Sequence, residues 1–243
     1  GSITAQTKTD ILHYRFALEL NDLNDTIVGS TRVTLITTAA GRTVTLDLQN
    51  VSSKGKGMIV GSTVFPYAAN GNDNAPISRF THQQNKLTIE ALHPFNAGDT
   101  LDLLIRYKGI PEDGLIISKN SYGKRTFFAD NWPNRAHHWI PCVDEPGDKA
   151  TVEFIVTAPS QYQVVSNGIQ LEETNLTVDK KRTHWREDVP LPTKVMVIGL
   201  ASFAVQHAGF VNNCIPVSSW VFPENADKGF YDYSIGTEVL AFY

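Results

Sequence analysis

The side chains best suited to chemistry crowd into residues 127–149, which read FFADNWPNRAHHWIPCVDEPGDK and follow neither a two-residue nor a helical period. Segments of this kind are irregular and are held by specific contacts. Asp144 and Glu145 are adjacent carboxylates, the raw material of acid/base catalysis, but neighbours in an extended chain diverge and do not flank one substrate bond. They read instead as loop anchors that accept backbone N–H groups and pair with Lys149 or Arg135. His137 and His138 would point to opposite faces of a strand, and His13, His82, His93, His184 and His207 are scattered without ligand spacing. No metal site is therefore expected in this chain. Cys142 and Cys214 stand far apart and read as two separate free thiols, while Trp139 and Ile140 anchor the stretch to a core.

The elements that must position this stretch are strands. Period-two alternation places Tyr14, Phe16, Leu18 and Leu20 on one face, Val44, Leu46 and Leu48 on another, and Leu101, Leu103, Ile105 and Tyr107 on a third. Further strands are predicted at 152–156, 162–166 and 194–203, with Asn167-Gly168 as a hairpin-grade turn. Turn formers recur between them at 21–25, Gly41, 70–74, 96–98 and 111–114, a spacing that suits antiparallel meanders. The pattern changes only near the end, where Ile235, Val239 and Phe242 share one face of a helix predicted over 233–243, with no partner for that face in this chain. An unburied apolar helix face leads to the expectation that more protein follows.

Composition narrows the function classes. The 243 residues hold 42% hydrophobic content, enough for an ordinary buried core, and the 21 basic and 25 acidic residues give a net charge of -4 without a long single-sign run. Nothing supplies the basic stripe that a phosphate backbone requires, so nucleic acid is not an expected partner. The longest oily segment, 195–203, is broken by Gly199 and Ser202 and falls short of a transmembrane span. Asn175-Leu176-Thr177 matches a glycosylation acceptor, relevant only in a eukaryotic secretory pathway. There is no internal repeat or low-complexity tract.

Pro141-Cys142-Val143-Asp144-Glu145-Pro146, followed by Lys149-Ala150-Thr151, resembles the P-C-x-D-E-P-x-x-K-A-T signature of the aminopeptidase N family of zinc metallopeptidases. The resemblance extends upstream through Tyr107-x-Gly109 and Gly114, and downstream through Ser166-Asn167-Gly168 and 192–203. It implies an all-β, saddle-like N-terminal domain with mixed and antiparallel sheets, packed on a catalytic domain that carries the zinc. Pro141, Asp144, Glu145, Pro146 and Lys149 then form a structural signature loop. In this family two His one helical turn apart hold the metal in H-E-x-x-H and the intervening Glu activates water. This chain has no such string and no G-A-M-E-N segment, so the chain alone is expected to be inert.

The family also implies that a segment just upstream of P-C-x-D-E-P accepts the free α-amino group of a peptide substrate. Here that stretch is Asp130, Asn131 and Trp132, with Asp130 about where many members have Gln and Trp132 about where they have Gln or Glu. An ionised Asp130 can accept charge-assisted hydrogen bonds from an ammonium, and the Trp132 indole can line an apolar pocket or face a cation. If the segment is extended, Asp130 and Trp132 share a face and Pro133 ends the strand. The competing reading is that Asp130 caps a turn and Trp132 fills the core.

The resulting division is a tag-removal remnant at Gly1-Ser2, a β domain over 3–223, and a linker with the first helix of a catalytic domain over 224–243. The expected partners are that catalytic domain and peptide substrates, with a periplasmic or secreted parent favoured. Two other readings stand beside this one: a scaffold domain from a catalytically dead relative, and an unrelated β-sandwich binding module.

Overall fold

The computed structural model describes residues 9–67 and 77–243. Gly1-Ser2 and the turn predicted at 70–74 lie outside the described residues. Strands are numbered in chain order. The largest sheet has seven, in the spatial order β12 (Ile169–Asn175), β13 (Lys180–Pro192), β10 (Lys149–Pro159), β1 (Thr9–Glu19), β2 (Ile27–Thr37), β7 (Thr100–Ile110) and β4 (Gly57–Val64). A three-stranded sheet holds β3 (Gly41–Asp47), β6 (Lys86–Phe95) and β5 (Phe80–Gln83). A four-stranded sheet holds β11 (Gln163–Ser166), β14 (Ile198–Ala201), β9 (Arg125–Ala129) and β8 (Leu115–Lys119), and β15 (Ala204–Val211) pairs with β16 (Ile215–Val221).

The inner face of the large sheet follows from the alternation. Tyr14, Phe16, Leu18 and Leu20 are buried on β1 and its exit, and Val152, Phe154 and Val156 are buried on β10. Each such side chain contributes about 1.5–3 kcal/mol of transfer free energy. Phe16 stacks between Tyr14 and Phe154, 5.2 Å from each ring. Val44, Leu46 and Leu48 close the same core from the three-stranded sheet, and Phe127, Val164 and Leu200 from the four-stranded one. The fold is all-β.

β1 and β10 pair in parallel with Tyr14 opposite Val152, so the large sheet is mixed, as the family resemblance implies, where the turn spacing alone suited antiparallel meanders; register between strands so distant in sequence is set by core fit, which local turn residues do not encode. Two other expectations change. Asn167-Gly168 turns the chain as expected but joins β11 to β12 in different sheets instead of closing a hairpin. Gly168 has φ +81° there, and a Cβ would lie 1.8 Å from the Arg186 carbonyl oxygen. The strand predicted over 194–203 is split into a 3-10 turn at Thr193–Val195 and β14.

The C-terminal helix is two short ones, α1 (Ala226–Asp232) and α2 (Gly236–Phe242). They do find a partner in this chain: α1 lies on β16 and α2 on β15. A Cβ on Gly229 would be 2.7 Å from Val221, so the missing side chain lets α1 approach the strand. The contact is partial, because Ile235, Val239 and Phe242 remain 56%, 46% and 84% exposed. Among the described residues no helix is long and apolar enough to cross a membrane.

Candidate functional site

The candidate segment leaves the core on β9. Beyond Ala129 the strand ends, and the Asp130 N–H donates to the Gly114 carbonyl at 2.7 Å. Gly114 has φ +74°, and a Cβ would stand 2.1 Å from the Arg135 carbonyl oxygen, so only glycine lets the turn close over it. A turn at 132–135 and a 3-10 turn at Ala136–His138 then bring the chain back to Trp139.

Asn131 is the buried pin of this segment. It is 1% exposed, donates from Nδ2 to the carbonyls of Thr193 (3.1 Å) and Met196 (2.6 Å), and accepts the Trp139 indole N–H at 2.9 Å. The expectation that Asn131 contacts substrate gives way here: its hydrogen-bonding capacity is spent inside the protein. Its neighbours point the other way. Trp132 is 60% exposed, and the Asp130 side chain is 50% exposed. Both side chains therefore lie at the surface, and Trp132 does not fill the core.

That surface is organised by Arg135. The guanidinium donates from Nη2 to Asp130 Oδ2 at 2.5 Å, from Nη1 to Asp113 Oδ1 at 3.3 Å, and from Nε to the Trp132 carbonyl at 2.6 Å. One cation thus holds two carboxylates and the backbone between them, and Asp130 Oδ1 meets no hydrogen-bond donor among the described residues. Lys194 places Nζ 4.5 Å from the centre of the Trp132 ring. Arg135, Asp113 and Lys194 were not among the residues predicted for this surface. The Asp113-Gly114 pair read only as a turn, and the spacing of five between Asp130 and Arg135 was the one available clue.

The signature loop is built as an anchor. Cys142 exchanges backbone hydrogen bonds with Asp47 at 2.7 and 3.1 Å, and the Val143 N–H donates to the Tyr14 hydroxyl at 2.9 Å. Asp144 does not pair with Lys149 or Arg135, as its charge had suggested. It accepts from the His137 ring at 2.7 Å, from the His137 N–H at 3.3 Å and from the Thr193 hydroxyl at 2.8 Å, tying the two 3-10 turns together. Burial works to raise its pKa, yet these hydrogen bonds outweigh it and leave the carboxyl below its ordinary value. Pro141 is buried, whereas Glu145, Pro146 and Lys149 are exposed. Arg135 belongs to Asp130 and Asp113 because the turn at 132–135 folds it towards β8.

His137 and His138 also differ from expectation. A 3-10 turn, not a strand, carries them, and their rings lie 4.5 Å apart on the same side. Burial first, and the neighbouring His137 second, lower the His138 pKa. Among the described residues no group of three or more His, Cys, Asp or Glu is placed to hold a metal ion.

The chain is similar to known peptidases. Human glutamyl aminopeptidase is 27% identical over 172 residues, covering 66% of this chain and 18% of the relative. Aminopeptidase A of Gloydius brevicauda is 24% identical over 168 residues, covering 66% of this chain and 17% of that protein. The crystal structure of an M1 zinc metallopeptidase from Deinococcus radiodurans superposes with a TM-score of 0.70 at 22% identity, over 85% of this chain and 45% of that one, a likeness of fold. The chain thus spans under a fifth of the length of these curated relatives. The Peptidase M1 N-terminal domain model matches residues 11–195, from β1 through Asp130, the signature loop and the Thr193 turn, and the chain belongs to that family.

Proposed function

We propose that this chain is the non-catalytic N-terminal domain of a zinc aminopeptidase, supporting a catalytic domain in the rest of the parent protein and helping to grip the free α-amino group of a peptide. The observation that carries the reading is the Asp130 carboxylate. It is half exposed, fixed by Arg135, which also holds the Trp132 carbonyl, and seated on a backbone pinned by Asn131. A rigid carboxylate with one oxygen open accepts an ammonium at little cost in side-chain freedom. Zinc would polarise the scissile carbonyl and activate water in the parent, using ligands outside this chain. The role of this domain is to favour substrates with a free amine, since a carboxylate held in place to receive an ammonium gives no such contact to a blocked N-terminus.

Two measurements test this. The sequence that continues the parent beyond Tyr243 is expected to contain G-A-M-E-N, then H-E-x-x-H and a later Glu; their absence would leave a scaffold. The purified chain is expected to hydrolyse no aminoacyl-nitroanilide even with added zinc, and chelator-sensitive turnover by a contaminant-free sample would refute the division of labour.

A further inference from the structure

Asp113 and Asp130 leave adjacent strands at the same end of the four-stranded sheet, because Leu115 at the start of β8 pairs with Ala129 at the end of β9. Asp113 is held by its own surroundings: Oδ1 accepts the Gly114 N–H at 2.8 Å, and its carbonyl accepts the Leu115 N–H at 2.8 Å. Two aspartates from different strands are thereby fixed around Arg135, which donates to Asp130 Oδ2 at 2.5 Å and to Asp113 Oδ1 at 3.3 Å.

The charges do not cancel. Two carboxylates share one guanidinium, and among the described residues neither pairs with a second cation. Lys194 lies over the Trp132 ring instead, and the adjacent Glu112 has a cation of its own in Lys54, 3.7 Å away. The carboxylates are also the outer members of the group: the side chains of Asp130 and Asp113 are 50% and 42% exposed, against 28% for Arg135. An Asp130–Arg135 pair alone would be neutral, and a neutral pair attracts an ammonium only weakly. Asp113 restores one negative charge to it.

We infer that Asp113 is a positioning residue of the amine site. Without touching the substrate, it shares Arg135 with Asp130 and leaves the group one negative charge, which the ammonium of a peptide balances. The inference rests on the reading of Asp130 as the amine acceptor. An ammonium on the open Asp130 Oδ1 would bring the count to two cations for two carboxylates, each bond charge-assisted.

The test is steady-state kinetics of the full-length parent on the aminoacyl-nitroanilide it cleaves best. Asp113→Asn, which keeps the shape and removes the charge, is expected to raise KM roughly three- to tenfold, with little change in kcat and an unchanged melting temperature. Asp113→Glu, which keeps the charge, is expected to bring KM back to within about twofold of the parent value. In an Asp130→Ala background Asp113→Asn should add little, because Asp113 acts through the shared guanidinium. An unchanged KM in Asp113→Asn, equal losses in Asp113→Asn and Asp113→Glu, or a lowered melting temperature that accompanies the loss would overturn the inference. A full Asp113→Asn effect that persists without Asp130 would overturn it equally. If Asp130→Ala alone leaves kcat/KM unaltered, the amine reading falls and this inference falls with it; a loss there with no effect at Asp113 overturns this inference alone.

Discussion

Asn131 Oδ1 accepts the indole N–H of Trp139 at 2.9 Å, and that bond joins the exposed candidate segment to the buried start of the signature loop. Trp139 in turn lies 6.2 Å from the Phe154 ring at an interplanar angle of 11°, so the strand β10 steadies the surface that presents Asp130. The position of a surface carboxylate is set here by buried groups.

Replacing Asn131 with Ala would leave the Trp139 N–H and the Thr193 and Met196 carbonyls without their partner in a dry environment. The expected loss is about 3 kcal/mol, because buried polar groups stripped of a partner bear their desolvation cost. Urea unfolding should show a lower midpoint with an unchanged slope. An unchanged midpoint would mean that water replaces the side chain.

Asp148 supplies a pH-dependent term. Burial, and then the charge of Asp10, raise its pKa to about 6, and the Ile11 N–H offsets this only in part. Its Oδ1 is buried without a partner. The folded state therefore binds this proton more tightly than the unfolded state, so the contribution is fully favourable below the unfolded pKa and is lost as pH rises through about 6. Asp148→Asn should melt a few degrees above the parent at neutral pH, with the difference shrinking below pH 6 and vanishing below about pH 4, as calorimetry across that range would show. A constant difference would contradict the assignment.

Much of this architecture is legible in the residues. Tyr14, Phe16 and Leu18 alternate in sequence and are buried in the fold, since a half-buried strand leaves that mark. The parallel match of β1 to β10 leaves none, and neither does the partition into four sheets. The helix expected at the C-terminus divides around 233–235 and lies on β15 and β16, a tertiary choice that a helical face alone does not announce. At the site, Asp130 and Trp132 are singled out by the neighbouring signature, but the inward turn of Asn131 depends on Thr193 and Met196, far along the chain. Arg135 was read as a partner for the wrong carboxylates, because the turn that carries it towards Asp113 is not periodic.

The cysteines should differ sharply. Cys142 is fully buried, and burial, reinforced by Asp144 and Asp47, pushes its thiol well up, whereas Cys214 is exposed. Ellman's reagent should titrate one thiol in the native chain and two in denaturant. Two fast native thiols would show that the signature loop opens readily.

The central claim is that Asp130 receives the substrate's amine, and the direct measurement is kcat/KM of the full-length parent carrying Asp130→Ala, with a free-amine peptide as substrate. Loss of one charge-assisted contact predicts a fall of roughly 10- to 100-fold with an unchanged melting temperature. An unaltered kcat/KM in a folded variant would contradict the account and move the amine site away from this domain.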